Sequence, residues 1–383
     1  MRPDAAPATV FSEFDRSAMA RALVLAERGL ETTQPNPRVG CVLAQAGQIV
    51  GEGWHERAGE AHAEVRALND AGERARGATA YVTLEPCSHH GRTPPCVNAI
   101  IAAGITRVVF AIEDPDPRVR GQGAQALTDA GIAVDCGLMQ AEARALNPGF
   151  IKRMKLGTPW VRVKLAMSLD GRTALASGAS RWITGEAARS DVQRWRARSS
   201  AVLTGVGTVL ADDPQLDVRL PGRTATRQPL RVVLDSSLRT PALARLLGTA
   251  GEVLVLTLAP AGAAAADSSE RDRRRRALEA RGARVECVPA AAGRPALRAV
   301  LERLAVLEAN EVLVEAGARL AGALLSQALV DELLLYVAPK ILGPQARPLV
   351  ELEPLTDLQQ AFGFELLDVQ RVGEDLRLRL RPQ

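Results

Sequence analysis

Along most of the chain, short runs of Val, Ile, Leu and Ala alternate with segments whose apolar residues recur at helical spacing, and this alternation limits the fold more than any other feature. "RSAMARALVLAERGL" has the helical period. "VGCVLA" and "QIVGEGWH" flank a glycine-containing turn and predict a hairpin. "HAEVRALNDAGERAR" predicts a second helix, and "TAYVTLEP" a buried strand. "CVNAIIAAGI" with "RVVFAIED", then "GAQALTDAGI" with "AVDCGL", repeat the helix–strand unit. Strands alternating with helices imply a layered α/β/α domain.

The pattern breaks at "LNPGFIKRMKLGTPW", residues 146–160, where glycine and proline punctuate a connector. Residues 1–150 are therefore expected to form one domain and residues 151–383 a second, larger α/β domain. Its strands begin with "WVRVKLAMSLDG", "AVLTGVGTVL", "LRVVLDS", "EVLVLTL", "ARVECVP" and "EVLVEAG". The tail, "ELLLYVAPKIL" and "FELLDVQRVGEDLRLRLRP", predicts antiparallel strands closing one edge, with the last pair turning at Gly373. A length of 383 residues allows each domain its own core.

The net charge of +4 suits a protein that handles anionic small molecules and is too weak to argue for nucleic acid. Aromatic residues make up 3% of the chain, few for stacking bases, and "RDRRRR" is interleaved with Glu270, Asp272 and Glu279 as on a solvated helix face. No apolar run approaches the ~20 residues of a membrane span, and the N-terminus lacks the pattern of a signal peptide. Five cysteines form an odd, sparse set, so a reducing, cytoplasmic setting is expected and a disulfide between Cys87 and Cys96 is disfavoured. Cys41, Cys136 and Cys287 lie in strand patterns and are expected to be core thiols.

"LEPCSHHGRTPPC", residues 84–96, supplies Cys87 and Cys96, and "AHAEV" upstream supplies His62 and Glu64. Zinc nucleobase deaminases carry H-x-E followed by P-C-x-x-C. The first half and the Pro86-Cys87 pair match, whereas eight residues rather than two separate the cysteines. Three protein ligands leave a fourth tetrahedral position for water, the mark of a catalytic zinc. Zinc brings the pKa of that water to roughly 7, and Glu64, not a ligand, is placed to move its proton. The competing reading is a structural zinc closed by His89 or His90.

Together, "PNPRVGCV", "GEGWHERAGEAHAEV", "TLEPCSHHGRTPPC" and "AIEDPDP", then "NPGFIKRM", "KLAMSLDGRTA", "SRWITG", "TVLADDP" and "VEAGARLAGALL", resemble the bifunctional riboflavin-biosynthesis deaminase/reductases over nearly the whole chain. The resemblance implies a cytidine-deaminase-like domain followed by a dihydrofolate-reductase-like domain. It implies one zinc per chain, NADPH as reductant and a homo-oligomer. The substrate would be 2,5-diamino-6-ribosylamino-4(3H)-pyrimidinone 5′-phosphate, which loses its 2-amino group before the ribosyl is reduced to ribityl. In the first domain it nominates Asn36, His89 and Arg92 as substrate contacts. Asn36 also reads as a turn residue, and His55 is equally open between substrate contact and surface.

In the second domain no nucleotide fingerprint is complete. "TGVGTVL" lacks a third glycine, and "GARLAGA", residues 317–323, lacks the Lys-Ser/Thr of a P-loop. The latter follows a strand and opens a helix, so it suits either anion binding or tight packing. The resemblance assigns Ala166, Trp182, Thr208, Asp212, Ser236, Gly317, Ala318, Arg319, Leu320, Ala321, Gly322 and Ala323 to the cofactor. It assigns Ser180, Arg196, Leu216, Arg219 and Glu315 to the substrate, with Arg196 and Arg219 as phosphate clamps. Lys164, a lysine in a chain whose default base is arginine, is expected to face the site and act on the opening ribose. Asp170 reads as a turn cap or a participant in chemistry.

Overall fold

The computed structural model describes residues 10–89, 94–117, 119–220, 222, 227–259 and 265–383, with the backbone alone for residues 265–268. Two compact units share the chain, Met1–Leu156 and Gly157–Gln383.

In the first unit, α1 (Glu13–Glu27) starts at Ser12, whose hydroxyl accepts the Asp15 N–H at 3.0 Å while the Asp15 carboxylate accepts the Ser12 N–H at 2.8 Å. Two otherwise orphaned donors are satisfied by this reciprocal cap. β1 (Gly40–Gln45) and β2 (Gln48–Trp54) form the expected hairpin, turning through Ala46 and Gly47 at φ 49° and 77°. Positive φ at both positions gives the twist a two-residue hairpin needs. Then come α2 (Ala63–Ala71), β3 (Thr79–Val82), α3 (Cys96–Ala102), β4 (Arg107–Phe110), α4 (Gln122–Asp129), β5 (Ala133–Cys136), α5 (Gln140–Leu146) and α6 (Pro148–Leu156).

The sheet runs β2-β1-β3-β4-β5, with β3, β4 and β5 parallel. Strand alternation sends Cys41, Leu43, Val82, Val108 and Phe110 towards α2, α3 and α4, and Val42, Ala44, Tyr81 and Val109 towards α1 and α5. The result is a three-layer α/β/α unit. Gly51 and Gly53 seat α2 directly on β2: a Cβ on either would lie 2.4 Å from the carbonyl oxygen of Ala67 or Ala63. That seat fixes the start of α2.

The expected division at 150/151 falls inside α6. Phe150 and Ile151 pack against the α1 side of the first core, so the units divide after Leu156. Pro148, taken as part of a break, occupies the first helical position, where its missing N–H costs nothing.

The second unit is built on nine strands: β6 (Trp160–Ser168), β7 (Ala201–Gly205), β8 (Leu230–Leu234), β9 (Val253–Leu258), β10 (Arg284–Val288), β11 (Glu311–Glu315), β12 (Glu332–Ala338), β13 (Phe364–Val372) and β14 (Asp375–Pro382). Their order is β10-β9-β8-β7-β11-β6-β12-β14-β13. Helices α7 (Glu186–Arg198), α8 (Val206–Asp212) and α9 (Ala265–Glu279) cover one face; α10 (Leu297–Val306) and α11 (Ala318–Ser326) cover the other. The tail departs from expectation in one respect. β12 is an interior strand parallel to β6, with all seven residues buried, as a continuous apolar run allows. Only β14 and β13 run antiparallel, turning at Gly373 with φ 64°.

Candidate active sites

His62 is the N-cap of α2, Cys96 is the first residue of α3, and Cys87 lies in the loop after β3. His62 Nδ1 lies 3.2 Å from Cys96 Sγ and 3.5 Å from Cys87 Sγ, and the Cys96 N–H donates to Cys87 Sγ at 3.3 Å. The three ligand atoms fall within 4.8 Å of one another. One imidazole and two sulfurs converging on a point fit zinc, and three such ligands leave its fourth position open. Among the described residues no fourth donor joins the group. His89 is exposed and outside it, while His90 and Arg92 lie outside the described residues.

No disulfide joins the cysteines. The Cys96 thiol hydrogen-bonds to Cys87 and, against burial, pulls it down to about 4, while Cys96 itself is pushed far up. Glu64, in the first turn of α2, is buried, and burial together with the Cys87 charge raises its carboxyl above the usual range.

His55 is 2% exposed, so it is no surface residue. Its Nδ1 lies 3.3 Å from the Ala61 carbonyl, which can only accept; Nδ1 therefore carries the proton. Nε2 then accepts from the Asn36 amide at 3.1 Å, which orients Asn36 with its oxygen turned elsewhere. Burial lowers the His55 pKa to about 4, keeping the ring neutral, and the ring stands edge-on to His62 at 5.2 Å. Glu85 escaped the sequence reading. Its buried carboxylate accepts the N–H groups of Asp114, Gly121, Gly123 and Ala124 at 2.9–3.1 Å. It thereby ties the loop before α4 to the strand end that leads to Cys87. A glutamate closing an apolar strand beside Pro86 was the available signal.

In the second unit, Lys164 pairs in register with Glu315 of β11. Glu315 accepts from Arg196 at 2.5 and 3.0 Å, and the third nitrogen of Arg196 donates to the Asp217 carbonyl at 2.9 Å. Arg196 is buried. It is therefore not a solvated helix-face residue, and its fork is committed to Glu315. Arg219 is exposed and rests 3.4 Å from Asp217. Leu216 is buried, and Ser180 half-buried. Burial lowers the Lys164 pKa, with Glu315 and Asp212 opposing.

β7 and β11 are neighbours, so the helices that follow them, α8 and α11, start side by side at the C-terminal ends of parallel strands, where ligands of open α/β sheets bind. A Cβ built on Gly205 would lie 3.8 Å from Leu320, whereas Gly207 and Gly317 have no atom within 4 Å of theirs. That open space over two helix starts fits a pyrophosphate. Thr208 and Asp212 lie on α8, Ala166 on β6 and Ser236 just beyond β8, while Trp182 is 62% exposed before α7. The 317–323 stretch divides between its two readings. Gly317, Ala318 and Arg319 begin the helix; Ala321 and Gly322 are buried and Ala323 packs on the core. Gly322 is there for packing, since a Cβ would sit 1.8 Å from the Glu351 carbonyl.

Asp170 acts as a cap: it accepts from Gly343 N at 2.7 Å and Leu342 N at 3.1 Å. Cys41 is buried as expected, but Cys136 and Cys287 are exposed, because each sits on an edge strand of its sheet. No helix among the described residues is long and apolar enough to cross a membrane.

Comparison with known proteins matches a known family to each unit. Residues 12–112 match the cytidine and deoxycytidylate deaminase zinc-binding region, and residues 159–378 match the RibD C-terminal domain. The riboflavin biosynthesis protein RibD of Escherichia coli is 50% identical over 96% of this chain and 99% of its own length. That of Haemophilus influenzae is 46% identical over 97% and 99%. The solved structure of Acinetobacter baumannii RibD superposes with a TM-score of 0.88 at 45% identity, covering 97% of this chain and 99% of that one. With matches of this identity spanning both units, the chain belongs to the RibD family, the bifunctional deaminase/reductases of riboflavin biosynthesis.

Proposed function

We propose that the first unit deaminates a diaminopyrimidinone ribose-phosphate and that the second reduces the ribosyl of the product with NADPH. A Thermotoga maritima relative, 32% identical with a TM-score of 0.81, is described as a diaminohydroxyphosphoribosylaminopyrimidine deaminase and 5-amino-6-(5-phosphoribosylamino)uracil reductase. The observation that carries the proposal is the convergence of His62, Cys87 and Cys96 beside a buried Glu64 that is not one of the ligand group.

Zinc held by these three side chains supplies the Lewis acidity that makes water nucleophilic near neutral pH. Glu64 takes the proton from the attacking water and delivers it to the ring nitrogen and departing amine, so a C–O bond forms, the C–N bond breaks and ammonia leaves. A carboxyl raised by burial is suited to holding that proton between the two transfers. Asn36, locked by His55, offers its amide oxygen to the substrate, and His89 and Arg92 belong to the same contact set. In the second unit NADPH supplies hydride when bound. Lys164 directs an ammonium at the sugar oxygen released as the ring opens, Glu315 and Arg196 hold the opposite edge, and Arg219 meets the phosphate. Ser180 and Leu216 complete the substrate contacts. Ala166, Trp182, Thr208, Asp212, Ser236 and the start of α11 hold the cofactor.

We also read the protein as a cytoplasmic homo-oligomer. Its unpaired cysteines support the first statement, and Leu366, Val369 and Leu376, exposed on the edge hairpin, support the second.

The test replaces Glu64 by Gln. Ammonia release should fall by about 10²- to 10⁴-fold, with zinc content retained and NADPH oxidation on pre-deaminated substrate unchanged. Undiminished ammonia release from the zinc-loaded variant would remove Glu64 from the mechanism.

A further inference from the structure

We propose that the "NPGFIKRM" stretch, residues 147–154, belongs to the deaminase machinery, with Asn147 as a positioning residue that holds Asn36 where the substrate meets it. The inference rests on the reading of Asn36 as a substrate contact in the first unit. By its composition the stretch is a connector, yet it lies inside that unit, where Asn147 joins α5 to α6.

Asn147 and Arg38 are each 3% exposed. The Asn147 side chain takes both backbone groups of Arg38, accepting its N–H at 2.8 Å and donating to its carbonyl at 2.8 Å. An amide held this way stands in for a neighbouring β-strand, which offers one acceptor and one donor to the residue opposite. The Arg38 guanidinium answers across the same junction, donating to the Leu146 carbonyl at 2.9 Å and to the Leu30 carbonyl at 3.3 Å. Further along α6, Arg153 donates to the Pro35 carbonyl at 3.4 Å. The backbone is thus tied down on both sides of Asn36 by residues 108 to 118 positions away in the chain.

Within the loop, the Asn36 N–H donates to the Thr33 carbonyl at 2.8 Å, and its side-chain amide donates to His55 Nε2 at 3.1 Å. His55 therefore fixes which way the amide faces, and the α5–α6 junction fixes where the residue stands. None of Pro35, Asn36 and Pro37 is fully buried, so the ties do not serve to bury this loop. Loops of this kind are ordinarily among the more mobile parts of a fold. Ordering this one during folding spares the substrate the cost of ordering it on binding.

The experiment measures kcat, KM and zinc content for ammonia release in the intact chain, in Asn36→Ala, in Asn147→Ala and in the double variant. Loss of one neutral hydrogen bond to the substrate should raise the KM of Asn36→Ala about five- to tenfold. Asn147→Ala should raise KM about three- to tenfold. Its kcat and zinc content should stay within about twofold of the parent, because the contact is lost equally from substrate and transition state. The double variant should match Asn36→Ala alone, since Asn147 acts through Asn36. Arg153→Ala removes one half-buried tie and should raise KM about twofold, which decides the matter if Asn147→Ala does not fold. Three results would overturn the proposal: an unchanged KM in Asn147→Ala (or in Arg153→Ala where the former does not fold), a loss of kcat and zinc at constant KM, or a rise in the double variant equal to the product of the single rises. An unchanged KM in Asn36→Ala would instead overturn the reading of Asn36 beneath it.

Discussion

Arg162 and Lys164 stand two residues apart on one face of β6, yet the protein treats the two cations in opposite ways. Arg162 is 1% exposed, donates to Glu311 at 3.0 Å and Glu332 at 2.8 Å, and lies 4.6 Å over the Trp195 ring. Arg198 also reaches Glu311, Arg379 reaches Glu332, and both guanidinium groups pack around the same indole. Every buried charge in this network has a partner, and such a network closes the N-terminal end of the sheet. Lys164 has Glu315 for a register neighbour, but Arg196 already occupies both carboxylate oxygens. Lys164 has no hydrogen-bond acceptor among the described residues, and it lies towards the strand ends where ligands bind. The buried cation is met by two carboxylates and braces the fold; the half-buried one has no hydrogen-bond acceptor of its own among the described residues and is the one open to a ligand.

The comparison breaks most visibly if Arg162 is removed. Arg162→Ala leaves Glu311 and Glu332 buried without their central partner and should cost about 3–5 kcal/mol. Denaturant unfolding of the second unit would register this, and a loss below about 1 kcal/mol would mean that Arg198 and Arg379 suffice. Lys164→Ala should do the reverse, lowering kcat for reduction by about 10²-fold or more while the unfolding midpoint stays near that of the parent. Reduction kinetics that match the parent would end the functional reading of Lys164. Trp195→Phe gives the smallest effect. It weakens the face on which four arginines stack, and about 1 kcal/mol of stability should go. Turnover should be untouched; a fall in kcat without a fall in stability would connect the two ends of the sheet.

The two sites differ in how far they could be read in advance. His62, Glu64, Cys87 and Cys96 were legible because the chemistry sits at local landmarks: a helix start, a strand end and the first residue of another helix. The partners that orient this site were not. His55 looked as much like a surface residue as a substrate contact, and Glu85 gains its meaning only from N–H groups 29 to 39 residues away. In the second unit Arg196 was nominated as a phosphate clamp, and nothing in its neighbourhood announces its partner Glu315, 119 residues on. The 317–323 stretch was ambiguous for a related reason. Gly317 and Gly322 look alike in a string of letters, and only the carbonyl of Glu351 separates open space from close packing.

The sequence by itself determined the alternation that makes two α/β units and the grouping of His62, Cys87 and Cys96 with Glu64 beside them, since periodicity and short spacing act through the nearest few residues. The tertiary structure alone decided which arginines brace the fold and which positive charge is spare. Compensation of a buried charge depends on strands brought together across 149 and 170 residues of chain, and the cost of leaving such a charge unpaired is set by the burial that this assembly creates.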